Sequence, residues 1–66
     1  MRVNEDLAPL LSAATSLREI TDRITAMADR LASGGSDARA ADLYEVERAL
    51  RNANRRLATV LKEMTT

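Results

Sequence analysis

The sequence predicts an all-α fold, an antiparallel two-helix hairpin that assembles as a homodimeric four-helix bundle. Three observations lead there. Two apolar series, each stepping by three and four residues, flank the middle of the chain; a double glycine separates them; and together they carry more apolar surface than one bend of the backbone can cover.

The first helix is expected over about residues 7–33. Asp6 stands ahead of it, with a carboxylate able to accept a bond from a first-turn amide, and this start leaves Pro9 in the first turn, where its missing N–H costs least. A start at Asn4 would place Pro9 where the helix wants a donor. The inner series is Leu7, Leu10, Ala14, Leu17, Thr21, Ile24, Ala28 and Leu31. Its alternating steps give the 3.5-residue repeat of coiled coils and left-handed bundles, rather than the looser pattern of a globular surface helix. Thr21 is the polar member; its hydroxyl is expected to bond the carbonyl of the preceding turn and to help fix the register.

Ser33-Gly34-Gly35-Ser36-Asp37 holds the chain's two glycines and reads as the turn, residues 34–36. Gly34 is expected in the left-handed conformation that ends a helix, with Ser36 or Asp37 capping the next. The second helix then runs over about 37–64 and repeats at Leu43, Val46, Leu50, Ala53, Leu57, Val60 and Met64. The N-terminal segment through Asp6 and the final Thr65 and Thr66 are expected to fray.

Folding at the glycines pairs Leu31 with Leu43, Ile24 with Leu50, Leu17 with Leu57 and Leu10 with Met64. Between these large layers fall Ala28 with Val46, Thr21 with Ala53 and Ala14 with Val60. Large and small layers alternate, as an interdigitating close-packed core requires. Further columns remain uncovered: Ala13, Ile20 and Met27 beside the first seam, Leu11 on its other side, and Ala40, Ala49 and Leu61 on helix two. One domain over residues 1–66, at this length and without a staple, buries barely enough apolar surface to offset its conformational entropy. The expected core and oligomer interface is therefore Leu7, Leu10, Leu17, Ile20, Ile24, Met27, Leu31, Leu43, Val46, Leu50, Leu57, Val60 and Met64, shared with a second copy or with a partner's helices.

The chemical inventory is short. There is no Cys and no His, which removes disulfides, thiolate and imidazole metal sites and the usual nucleophile–base pairs. The acids fall outside the inner columns, where a carboxylate metal site in a bundle would need them, so they read as solubilising groups, with Glu19–Arg23 and Glu47–Arg51 as helical ion pairs. No catalytic residue, metal site or cofactor is expected. With hydrophobic residues at 45% and Tyr44 the only aromatic, the core is aliphatic; Tyr44 is expected at its rim with the ring packed and the hydroxyl wet. Nine of the ten basic residues are Arg, a codon-usage association with GC-rich bacterial genomes that says nothing of structure.

Ten basic and ten acidic residues cancel, so overall charge points to neither nucleic acid nor an anionic membrane. No apolar run approaches the roughly 20 residues that cross a bilayer. The N-terminus carries acids where a signal peptide needs an apolar stretch, so the cytoplasm is the expected compartment. One local asymmetry stands out: from Arg48 to Lys62 there is no acid, and Arg48, Arg51, Arg55 and Lys62 line an outward face that suits phosphates or an acidic partner.

In layer design, over both helices, the chain resembles the plasmid-encoded repressor-of-primer family, in which two short hairpins form an antiparallel four-helix bundle with small and large core layers and bind paired RNA loops. The resemblance implies a small nucleic-acid-binding regulator, with the basic face of helix two as its contact. The residues themselves favour a non-catalytic oligomerisation or adaptor module that binds itself and a protein partner.

Overall fold

Helix α1 spans Val3–Ser33 and helix α2 spans Asp37–Thr65 in a computed structural model, which describes the backbone of residues 3–65 and the side chains of residues 5–65. The two pack side by side as an antiparallel hairpin, with no strand among the described residues. The expected fraying of Met1, Arg2 and Thr66 lies outside those residues; Thr65 is helical.

Helix α1 starts a turn ahead of the expected residue 7, so Asp6 is no cap and Pro9 sits inside the helix. Pro9 has no N–H with which to complete the ladder to residue 5. Two local features hold the turn regardless. Glu5 and Asp6 place carboxylates at the positive end of the helix dipole, and Leu7 and Leu10 on either side of the proline are half-buried.

The turn is a Schellman motif. Ser36 N donates to Leu31 O at 2.8 Å and Gly35 N to Ala32 O at 3.2 Å, which closes the carbonyls at the end of α1. The left-handed residue is Gly35, with φ of +87°, and not Gly34, which still follows the helix and donates to Arg30 O at 3.0 Å. The difference follows from the motif: its two bonds span six and four residues and need the reversal one position beyond the last helical carbonyl pair. Ser36 then opens α2, its carbonyl accepting from Ala40 N at 2.9 Å.

On α1 the seam is the expected column: Ala14, Thr21 and Ala28 are buried, and Leu7, Leu10, Leu17, Ile24 and Leu31 are half-buried. On α2 the large positions Leu43, Leu50, Leu57 and Met64 are half-buried, but the small layers differ. Val46, Ala53 and Val60 are exposed; Ala40, Glu47, Asn54 and Leu61 take their places. Helix α2 is thus turned by about one residue, roughly 100°. The physical reason lies across the seam, where Thr21 and Thr25 present hydroxyls. Glu47 and Asn54 supply polar partners to them, which Val46 and Ala53 lack.

This hairpin encloses little. Among the described residues the buried apolar ones are Ala14, Ala28, Ala40 and Leu61, so only one of them is large. The molecule measures 51 × 15 × 13 Å with a radius of gyration of 15.2 Å, against about 11 Å for a compact domain of this length. Its accessible surface is 5039 Å², against about 4100 Å² for a typical folded monomer of its mass.

Candidate interaction surfaces

The two broad faces of the hairpin differ in chemistry. One is polar, and side-chain bonds tie the helices together across it. Tyr44 donates its hydroxyl to Asp29 Oδ1 at 2.5 Å. Thr25 donates to the Glu47 carboxylate, which also accepts from Arg51 at 3.1 Å. The Thr25 hydroxyl and the Arg51 guanidinium hold the Glu47 carboxyl below the usual carboxylate range. The bond to Asp29, then partial desolvation and the nearby negative charge, push the Tyr44 hydroxyl above its ordinary value. Arg18, Asp22, Arg51 and Asn54 line a depression on the same side, above Thr21.

At mid-seam Thr21, 1% exposed, donates to Leu17 O at 2.7 Å, as expected of a helical Thr, and accepts from Asn54 Nδ2 at 3.1 Å. Asn54 Oδ1 is buried with no hydrogen-bond partner. Such a group costs about 1–3 kcal/mol. A polar layer in the middle of an aliphatic seam disfavours slipped registers, which would leave these groups facing alkyl side chains.

The basic row of α2 lies along and beside this polar face, and much of it is engaged. Arg48 pairs with Glu45 at 3.0 Å and Arg51 with Glu47 at 3.1 Å, while Arg55 donates to Asn52 Oδ1 at 2.8 Å. Lys62 is exposed near the end of α2. Of the two helical ion pairs expected, Glu47–Arg51 is present; no ion pair joins Glu19 to Arg23 among the described residues. Glu47, expected on the outside, is turned toward the seam, with a side chain 17% exposed.

The opposite face is apolar. Because Asp29, Thr25 and Arg18 of α1 meet Tyr44, Glu47, Arg51 and Arg55 of α2 on the polar side, the residues on the other flank of each helix share the remaining side. These are Ala13, Ile20 and Met27 on α1 and Val46, Ala53 and Val60 on α2. Ile20 is 41% exposed, Met27 45%, Val46 45% and Val60 44%. Between the two columns run the half-covered Leu17, Ile24, Leu31, Leu50 and Leu57. Val46 and Val60 therefore belong to this outer face and not to the seam, while Leu11, 49% exposed, lies on the other side near the start of α1.

Sequence reading alone missed Glu47 and Asn54 as inward groups. A signal was present: Ala40, Glu47, Asn54 and Leu61 recur every seven residues. Their mixed polarity hides the column from a search for apolar repeats. Among the described residues no cluster of acidic side chains is placed to hold a metal ion, and no helix is long and apolar enough to cross a membrane. Comparison with protein-family models, with curated proteins and with solved structures finds no match.

Proposed function

We propose that this chain is a non-catalytic oligomerisation and adaptor module of the cytoplasm, which binds a second copy of itself as a homodimeric four-helix bundle and presents its polar helical faces to a partner protein. The observation that carries this reading is the uncovered apolar face of Ile20, Met27, Val46 and Val60 over a seam whose only large buried apolar residue, among the described residues, is Leu61. The chain exposes about 900 Å² beyond what a folded monomer of its mass exposes. A standard interface covers about 800 Å² per partner. One self-association therefore removes the excess. A contiguous apolar face of this kind, rimmed by charge, marks an association surface.

The test is sedimentation equilibrium of the intact chain, with a mass twice 7.2 kDa expected. Ile20→Lys, which places a charge on the apolar face while touching little of the two-helix seam, is expected to weaken association at least 100-fold. A well-folded monomer at micromolar concentration would defeat the reading.

A nucleic-acid role for Arg48, Arg51, Arg55 and Lys62 stands second. Two of these four are held by carboxylates of their own helix, and that favours the protein-interaction reading. Titration with mixed DNA and RNA across a salt series separates the two, since several phosphate contacts make affinity fall steeply with salt.

A further inference from the structure

Resting on the self-association just proposed, we infer that the two hairpins pack with their turns at opposite ends of the bundle, about a two-fold axis that crosses the helices at the level of Ile20 and Ala53. Two face-to-face hairpins related by a two-fold axis have two choices. Either the axis runs along the helices, so that the turns lie together and α1 covers the partner's α2, or it runs across them, so that the turns lie apart and each helix covers its own copy. In both, every neighbouring helix is antiparallel, so helix dipoles do not choose.

Layer volume does choose. The bonds Thr21 to Asn54, Thr25 to Glu47 and Asp29 to Tyr44 set the levels along the hairpin. They place Ala13 level with Val60, Ile20 with Ala53, and Met27 with Val46. In side-chain heavy atoms, Ala has one, Val three, and Ile and Met four each. With the turns together each layer meets its own copy, and the three bundle layers hold eight, ten and fourteen such atoms. That interface tapers, with a void at the Ala13 end or overpacking at the Met27 end. With the turns apart, Ala13 and Val60 meet Met27 and Val46 of the partner, and the layers hold eleven, ten and eleven. Close packing at constant helix separation requires equal layers. The intervening large layers, Leu10 with Met64, Leu17 with Leu57, Ile24 with Leu50 and Leu31 with Leu43, are uniform and fit either way. With the turns apart the rim offers Arg23 with Glu19 but sets Asp42 level with Glu63, and with the turns together it offers Arg30 with Asp42; exposed pairs contribute little either way. The flanking columns decide.

The axis also passes near the middle of both helices, so nearly the whole 51 Å length is used. The consequence for an adaptor is geometric: the two polar faces point away from each other and the two turns mark opposite ends, so one bundle offers two equivalent and separate docking surfaces.

The chain lacks Cys, so Ser33→Cys, at an exposed position beside the turn, accepts a single spin label per protomer. Distance measurement by electron spin echo on the intact labelled dimer is expected to give about 40 Å, from the helical rise of 1.5 Å per residue between levels. A distance under about 20 Å, set by interhelix spacings of 8–10 Å, would place the turns together and overturn the arrangement while leaving self-association intact. Two populated distances would also overturn it. A monomeric mass for the same labelled sample would instead overturn the self-association on which it rests.

Discussion

At Gly34 and Gly35 two identical residues carry opposite consequences for substitution. Gly35 has φ of +87° and open space around it, so Gly35→Ala costs stability through backbone conformation alone, about 1–2 kcal/mol. Gly34 has no left-handed backbone, and a Cβ there meets only carbonyl oxygens at 3.4 and 3.8 Å. Gly34→Ala is expected to stabilise by about 0.4–1 kcal/mol through the unfolded chain; urea midpoints of the two variants, moving in opposite directions, check this. Two side chains are shifted in directions that couple their titration to folding. Glu47 is depressed in the folded chain, so its contribution is present above the ordinary Glu range and is lost as pH falls through its folded value. Tyr44 is raised, so its contribution is present below about 10 and is lost as pH rises through its folded value. Thermal midpoints are expected to drop on both sides, with Glu47→Gln flattening the acid limb and Tyr44→Phe the alkaline one.

Each helix forms for a different mixture of reasons. Helix α2 contains no Gly or Pro and follows a Schellman turn that sets its start, so its bounds agree with those expected from sequence to within a residue. Helix α1 contains Pro9, and the local rule that a proline belongs in the first turn predicts a later start than the one observed. That rule yields to dipole and burial: Glu5 and Asp6 favour the N-terminal turn, and Leu7 and Leu10 on either side of the proline are half-buried. Pro9→Ala is therefore expected to raise helicity by circular dichroism and to stabilise by about 1–3 kcal/mol. An unchanged spectrum would show that the turn ahead of Pro9 is not helical in solution.

As a whole the molecule is a slab two helices wide, with a polar side held by hydrogen bonds and an apolar side left open. Burying about 800 Å² per protomer, roughly two-thirds of it apolar, corresponds to more than 10 kcal/mol per protomer at about 25 cal/mol per Å², before the losses of freedom on association. In the proposed dimer, folding and association would be coupled. The thermal midpoint is expected to rise with protein concentration across the micromolar range, and a concentration-independent midpoint with a monomeric mass would contradict this.

The all-helical hairpin, its turn at the double glycine and the α1 seam were legible in the sequence because they depend on local chemistry: backbone freedom at Gly34-Gly35 and a repeat matched to the helical period. The rotation of α2 was not. Val46, Ala53 and Val60 read as a seam as well as Ala40, Glu47, Asn54 and Leu61 do by spacing, and better by hydropathy. Only the facing hydroxyls of Thr21 and Thr25 prefer the second set, and that preference exists only once the two helices lie against each other. Tertiary packing thereby decided which column of α2 the hairpin keeps at its seam and that the apolar one is left uncovered. The reason is that a seam-facing hydroxyl selects a polar partner across the chain, whereas an aliphatic side chain packs against any neighbour of suitable size.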